Sequence, residues 1–413
     1  MRNIEYRWVI LTTGFLILFL GGGRLHLFGL LLKPMSEDLA MSRSALSLVV
    51  ATFTVTSAVA VLVVGRLLDR YSLRLIMAVA AVVSALGFIL MGQVTEPWQL
   101  FAVYALLIAL GGPGISLVAI GVMISQWFDR RHGIVMATTQ SGGYLGQLVI
   151  LGLLAAFLST LGWRNAYTVM GVAYLVLVPT LVLALVRSRP ITAGGERIRS
   201  TPTAETRARA QSGSLTELVK SAARTRELYL LIVVYAICGF QDTFVATHMV
   251  AFATDQGVSQ AVAGNLLAFM GVMGLLGVLS AGILADTFGA VKATMLCFVL
   301  RIGIFGFITY FQSPVAIGAF ALLFGYTFPI TAPLIVVFVR KIFGTTHLGL
   351  LSAFLLVVHQ IPGGVGALVG AAFFDRTGGY DGAFVVMLGM AVVALVATAM
   401  IRERPAVPIA ATA

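Results

Sequence analysis

Apolar runs separated by short polar or Gly/Pro-rich breaks recur along the whole chain, at about 8–32, 44–65, 74–93, 98–127, 133–160, 164–187, 228–253, 260–284, 290–311, 314–339, 347–373 and 382–401. Each is close to the roughly 20 residues that an α-helix needs to cross the hydrocarbon core of a bilayer. Six lie before residue 188 and six after residue 226. The pattern predicts an all-α integral membrane protein with twelve transmembrane helices in two six-helix bundles, residues 1–187 and 227–413. Between them, residues 188–226 carry Arg197, Arg199, Arg207, Arg209, Lys220, Arg224 and Arg226 among Ser, Thr, Ala and Gly. This stretch reads as a cytosolic linker with room for a short amphipathic helix near Leu215–Leu218.

The halves repeat at a constant offset of 217 residues. Gly65-Arg-Leu-Leu-Asp69 lies over Gly282-Ile-Leu-Ala-Asp286, Asp38 and Ser42 lie over Asp255 and Ser259, and Gly162-Trp-Arg-Asn-Ala-Tyr lies over Gly379-Tyr-Asp-Gly-Ala-Phe. Three separate loops in one register are hard to obtain by chance. With an even number of spans in each half, the repeats run in the same direction and are related by an axis along the membrane normal, so the two bundles can rock about a central site.

Composition narrows the class. Of 413 residues, 59 % are hydrophobic and only 10 % charged, too apolar for a soluble domain of this length. The first run exceeds the core of a signal peptide and no small-residue cleavage site follows it, so it reads as a retained first helix. The net charge of +11 is spread over short loops and the linker, which suits control of topology rather than nucleic-acid binding. With both termini inside, the inner loops, linker and tails hold 21 Lys and Arg, and the outer loops hold four, Lys33, Arg43, Arg164 and Arg376. That asymmetry places both termini in the cytoplasm of a multi-pass protein of the cell (inner) membrane. Cys238 and Cys297 fall inside apolar runs, so neither a disulfide framework nor a metal site is expected, and no cofactor.

Five polar features inside the runs carry the candidate chemistry. Arg24 follows Gly21-Gly22-Gly23 well within the first run, where an arginine costs about 2.5 to 3.5 kcal/mol on insertion scales. Either it snorkels or pairs with a neighbouring helix, or it stands as a fixed positive charge awaiting an anion. At the repeat offset Arg24 maps onto Gln241, next to Asp242, so the halves present opposite charges at nearly equal depth. Arg301 lies in the ninth run, with the alternatives of a buried pair to Asp242 or a place beside Arg24. Gln140, Tyr144 and Gln147 recur at helical spacing, a polar stripe with no reason to face lipid. His26, His248 and His359 can titrate near neutral pH, although a lone histidine at a helix end is more often an interface residue; Gln360 adjoins His359. Gly111-Gly-Pro-Gly114, Pro329 and Pro333 break two runs, for bending or for close packing.

Between runs 2 and 3 stands Gly65-x-Leu67-x-Asp69-Arg70-x-Ser72-x-Arg74, and between runs 8 and 9 Gly282-x-Leu284-x-Asp286-x-x-Gly289-x-x-Lys292. Glycine permits helix approach, an aspartate meets the positive end of the next helix, and the basic residues anchor at the inner leaflet. This pair of loops resembles the signature of the major facilitator superfamily, with Ser72 where glycine is usual. Arg24-Leu-His-Leu-Phe-Gly29 with Lys33-Pro34-Met35, Trp127-Phe-Asp-Arg-Arg-His-Gly133 and Gly239-Phe-Gln-Asp-Thr-Phe-Val-Ala-Thr-His248 resemble its bacterial monocarboxylate transporter and oxalate/formate antiporter branch. The antiporters are the less similar, since run 11 carries His359 and Gln360 and no lysine. An arginine common in the eighth helix of relatives is absent, where this chain has Val278 and Ser280.

The resemblance implies a secondary active transporter, not an enzyme, moving a small organic anion such as a monocarboxylate by alternating access, with a proton as coupling ion and the chain acting as a monomer in the bilayer. Its expected substrate-binding residues are Arg24, His26, Gln140, Tyr144, Gln147, Gln241, Asp242, Arg301, His359 and Gln360. Asp242 would couple the proton. Gly65, Asp69, Arg70, Arg74, Gly282, Asp286, Gly289 and Lys292 would latch one conformational state. The alternative is efflux of an amphipathic drug-like or siderophore-like compound, disfavoured by Gln147 standing where drug antiporters tend to have proline. A sensor or membrane enzyme finds no nucleotide loop, metal cluster or nucleophile–base pair to support it.

Overall fold

A computed structural model describes residues 2–128, 132–187, 224–344 and 348–402; apart from 224–226, the expected linker lies outside the described residues. Eleven helical stretches are long and apolar enough to cross a membrane, and one of these, Ile134–Leu185, has 52 residues. At 1.5 Å per residue it would reach about 78 Å, more than twice a hydrocarbon core. Gly162, with φ 68° and ψ 165°, breaks it, a backbone open to glycine at little cost. Dividing the stretch there gives the twelve spans.

The helices are α1 (Arg2–Gly21), α2 (Arg24–Asp38), α3 (Arg43–Arg70) and α4 (Leu73–Met91). α5 is assembled from Pro97–Leu100, a π stretch Phe101–Ile108, Ala109–Gly111, a 3-10 turn Gly112–Ile115 and Leu117–Ser125. α6 runs from His132 through a π stretch at Gln147–Leu151 to residue 161, and α7 covers 163–185. The second half contains α8 (Arg226–Asp255), α9 (Gln260–Phe288), α10 (Ala290–Tyr310), α11 (Pro314–Thr327), α12 (Thr331–Phe343), α13 (Leu348–Thr377) and α14 (Asp381–Ala399). The first apolar run is thus a pair of helices, α1 and α2, and Arg24 opens the second of them. The tenth span is likewise two pieces, α11 and α12, parted at Phe328-Pro329-Ile330.

The repeat extends to the caps. Ser42 and Ser259, 217 residues apart, each accept a hydrogen bond from the backbone N–H three residues on, Ala45 and Val262, satisfying a donor that the helix start leaves bare. Ser72 and Gly289 also correspond, yet turn differently. Ser72 keeps an extended backbone and caps α4 with its side chain, whereas Gly289 adopts φ 88°, so the serine substitutes a side-chain cap for a left-handed turn.

Packing within each half relies on backbone contact. A Cβ at Gly142 would lie 2.3 Å from the Phe15 carbonyl, and one at Gly146 would lie 1.8 Å from that of Phe19, so this small-xxx-small pair seats α6 on α1. In the second half, a Cβ at Gly239 would stand 1.7 Å from the His359 carbonyl and one at Gly366 2.0 Å from that of Phe240, which draws α13 onto α8.

The two halves meet along α2 with α8, α3 with α13 and α6 with α9. Around the turns after α2 and α8 they are bolted together. Arg43 Nη1 pairs with Asp255 Oδ2 at 2.6 Å and its guanidinium lies 3.4 Å over the Phe374 ring. Asp375 accepts from the backbone N–H groups of Arg43 and Ser44, and Lys33 pairs with Asp255 at 3.1 Å. Arg43 Nη1 also donates to the Tyr380 hydroxyl at 2.7 Å, and that hydroxyl meets His248 Nδ1 at 3.1 Å. Burial raises the pKa of the Tyr380 phenol above its ordinary value, against the lowering influence of Arg43, so it remains a donor. A groove of about 370 Å³ between Lys33, Glu37, Ser159, Thr254 and Gln260 also lies at this end.

The opposite end is not latched. Nothing approaches within 4 Å of a Cβ placed at Gly65 or Gly282, and Arg70, Asp286 and Lys292 are exposed. Arg74 donates to the Leu183 carbonyl of its own half. Among the described residues the halves are fastened at the Arg43 end, and the end of the signature loops is released from such ion pairs.

Gly146→Ala is expected to lower the thermal midpoint of the detergent-solubilised protein, with overpacking of about 1–3 kcal/mol, because backbone cannot yield as a side chain can. Gly389→Ala, where a Cβ meets nothing within 4 Å, serves as the silent control in the same melting measurement.

Candidate functional site

A fully buried guanidinium dominates the second half. Arg301 has no exposed surface, and its Nη2 pairs with Asp242 Oδ1 at 2.6 Å. Nη1 donates to Gln241 Oε1 at 3.1 Å and to Cys238 Sγ at 3.7 Å, and Nη2 also reaches the Thr327 carbonyl at 3.3 Å. That carbonyl belongs to the break between α11 and α12: Pro329 interrupts the span, and the carbonyl serves a cation instead of only a helix. Phe324 places its ring 4.9 Å from the guanidinium carbon, within cation–π range. Arg301 is thus paired to α8, as a charge in an apolar interior requires.

Asp242 is shared. Its other oxygen, Oδ2, lies 3.1 Å from His359 Nε2, and a carboxylate can only accept, so that nitrogen carries the hydrogen. Gln241 turns its amide nitrogen to the Met387 carbonyl at 2.8 Å, joining α14 to the cluster. Cys238, Asp242 and His359 present ligand-type atoms within 4.8 Å of one another. The guanidinium donating to both Cys238 and Asp242 puts a fixed positive charge there, which suits a proton-bearing network better than a metal cation. Asp242 recurs four residues after Cys238, one helical turn along the same face, a signal the apolar context of the cysteine hides.

The first half holds a contrasting cation. Arg24 is half-buried, and its Nε and Nη1 are buried with no hydrogen-bond partner among the described residues. It lies against the 3-10 turn of α5, where a Cβ on Gly112 would come within 2.5 Å of Nη1. Gly112 thereby makes room for the charge, while neighbouring Gly111 and Gly114 let α5 press onto Ser84 and Ala80 of α4. Tyr104 and Tyr174 stand close enough to feel the Arg24 charge; nothing in the sequence singles them out.

His26, two residues from Arg24 along α2, is buried with Nδ1 unpartnered and its ring 5.7 Å from Phe328, and it too is within electrostatic reach of Asp242. Tyr144 accepts from Gln140 Nε2 at 3.4 Å and also feels Asp242. Gln360 keeps a buried, unpartnered Oε1. Gln147 differs from the rest of its stripe: it is buried, and its Nε2 donates 2.9 Å to the Leu267 carbonyl of α9, a bond across the halves. The structure therefore gathers Gln241, Asp242, Arg301 and His359 into one network, leaves Arg24 apart and without an ion-pair partner among the described residues, and uses His248 in the Arg43 closure.

A family model described as Major Facilitator Superfamily matches residues 13–280 and 231–412. The chain belongs to the major facilitator superfamily. An uncharacterized MFS-type transporter of Bacillus subtilis, YcxA, is 27 % identical over 386 residues, covering 91 % of this chain and 90 % of that protein. Monocarboxylate transporter 12 of Homo sapiens is 24 % identical over 311 residues, covering 68 % of this chain and 59 % of its own length, so the chain spans about three-fifths of that relative. Among solved structures, the nucleoside transporter NupG superposes with a TM-score of 0.75 at 15 % identity, covering 95 % of this chain and 98 % of that one. A D-xylose-proton symporter gives 0.75 at 14 %, covering 97 % and 100 %. At these identities the likeness to solved structures is one of fold. The expected all-helical membrane fold of that superfamily holds, and the spans among the described residues are consistent with the twelve expected.

Removing one member of a buried ion pair strands the other, at about 3 to 5 kcal/mol, whereas removing both is often near neutral. Arg301→Leu is expected to lose its monodisperse peak in detergent, and Arg301→Leu with Asp242→Asn to regain thermal stability. Size-exclusion profiles and melting midpoints of the three proteins check this.

Proposed function

We propose that this superfamily transporter carries a small organic anion, a monocarboxylate, by proton-coupled alternating access. The observation that carries the reading is the contrast between two arginines. Arg301 is neutralised by Asp242, whereas Arg24 has two buried nitrogens without partners and no acid paired to it among the described residues, a positive charge that an incoming carboxylate would complete through two parallel hydrogen bonds. Gly112 gives the guanidinium its place against α5, with the buried rings of Tyr104 and Tyr174 nearby. The similarity to monocarboxylate transporter 12 agrees with the chemistry. The absent eighth-span arginine is replaced, in this reading, by a cation on the first span.

By the distribution of lysine and arginine, the released end faces the cytoplasm and both termini lie there, in the cell (inner) membrane. The domains follow as an N-terminal bundle, 1–187, a cytosolic linker, 188–226, and a C-terminal bundle, 227–413. Closure of Gly65–Arg74 against Gly282–Lys292 would then accompany opening of the Arg43–Asp255–Asp375 contacts, the two ends alternating about Arg24 and Asp242.

Proteoliposomes loaded with a monocarboxylate panel, acetate, propionate, lactate, pyruvate and benzoate, are expected to exchange at least one member and to accumulate it when the pH gradient is imposed. Arg24→Gln is expected to remain folded and inserted and to lose exchange by 100-fold or about 3 kcal/mol, the scale of a charge-assisted pair. Full exchange by that variant removes Arg24 from the site, and transport of amphipathic cations in place of the acids supports the efflux alternative.

A further inference from the structure

Asp242 is the obvious proton carrier on sequence, because it is the acid found deep in an apolar run, but its surroundings tie it to the ionised form. Oδ1 receives the Arg301 guanidinium at 2.6 Å, and the Arg301 side chain has 0 % exposure. A proton placed on Asp242 would leave that guanidinium uncompensated in the protein interior, with Cys238, Gln241 and the Thr327 carbonyl as its remaining partners, none of them charged as an acceptor should be. Asp242 is thus placed as the counter-ion of Arg301.

His359 is placed otherwise. It belongs to α13, it is 26 % exposed at its side chain where Arg301 and Asp242 are 0 % and 5 %, and its Nε2 points at the carboxylate. A neutral ring with hydrogen on Nε2 and an imidazolium with hydrogen on both nitrogens each satisfy that contact, so the proton can arrive at Nδ1 without breaking a bond. The groups facing it are few. α8 supplies Asp242 and the Cys238 thiol, α10 supplies Arg301 behind the carboxylate, and α2 and α6 bring His26 and Tyr144 within reach of the same carboxylate. α12 contributes Thr331, bound to Cys238, and α3 packs its Ala51 and Thr54 on Gly364 one turn away. The net charge next to His359, Asp242 with Arg301, is zero, so an added proton creates a +1 centre that the nearer carboxylate oxygen stabilises.

We propose that His359 takes up the co-transported proton while Asp242, held ionised by Arg301, positions it. The assignment rests on the anion reading of Arg24 given above. In each turnover a proton passes from water in the open cavity to His359 Nδ1, the substrate binds Arg24 as its anion, and both leave on the other side. The empty site then carries +1, from Arg24, and the fully loaded site also carries +1, because the anion and the proton cancel. Both crossings move the same charge, which makes the cycle a 1:1 symport to which the membrane potential contributes nothing. The site loaded with anion alone carries zero, and its crossing is the exchange step that needs no proton.

The test measures protons on binding. The purified full chain in weakly buffered detergent with a pH indicator is mixed with whichever acid of the panel it exchanges fastest. Wild type is expected to take up as much as one proton per anion bound, the uptake varying with pH. His359→Gln, which keeps a donor to Asp242, is expected to take up no proton per anion bound, with anion binding measured in the same sample, and to lose pH-driven accumulation. The double variant Asp242→Asn with Arg301→Leu retains His359 without its carboxylate, and the pH of half-maximal uptake is expected to fall. Proton uptake unchanged in His359→Gln, or an unshifted midpoint in the double variant, overturns the assignment while leaving the anion site intact. Absence of exchange for every acid by the wild type overturns the anion reading itself.

Discussion

A charge inside an apolar bundle has to be answered by another charge, and this chain answers one of its two intramembrane arginines and not the other. Arg301 is enclosed by an acid, an amide, a thiol, a carbonyl and an aromatic face. Arg24 has a glycine turn and two tyrosines around it and, among the described residues, no anion. Much of the local architecture follows from that difference. The break at Phe328-Pro329-Ile330 provides a carbonyl for Arg301, and the Gly112–Ile115 turn of α5 leaves space for Arg24. The glycines of α8 and α13 bring His359 to the far side of the same acid that holds Arg301.

The closed and released ends belong to the same design. Asp38 and Asp255 are equivalents in the repeat, yet Asp38 binds Trp163 and Arg164 within its own half, while Asp255 binds Lys33 and Arg43 across the halves. Sequence symmetry thus fixes where the acids stand, and the asymmetric basic residues decide which of them fastens the bundles together. The fastening at the Arg43 end is ionic and aromatic, and a Cβ at Gly65 or Gly282 would meet nothing within 4 Å among the described residues.

Much of the fold was legible because hydrophobic runs of bilayer length leave few alternatives, and the 217-residue offset is visible in polar loops that apolar composition cannot imitate. The Arg301–Asp242 pair was legible for the same reason: few charges lie at depth, and opposite signs must meet. Three things were hidden. The first run gives no sign that its helix restarts at Arg24, since Gly22 is demanded by the backbone of α6 at Gly143 rather than by anything near it in sequence. Gln147 belongs to a polar stripe by spacing but is turned to the Leu267 carbonyl by the contact between halves. Tyr104 and Tyr174 are apolar-run residues like many others, and only the tertiary arrangement puts them beside a guanidinium. Periodicity reports which face is polar, not which polar group is left without a partner.

The central claim, that the unpaired Arg24 is where the substrate carboxylate docks, is tested most directly by locating a heavy-atom carboxylate in the protein. Crystals soaked with a bromo-substituted monocarboxylate that the transporter exchanges should show the anomalous bromine peak beside Gly112, Tyr104 and Tyr174, with the carboxylate on the Arg24 guanidinium. A peak beside Arg301 with the Asp242 pair broken, or one in the groove of Lys33 and Gln260 alone, contradicts it.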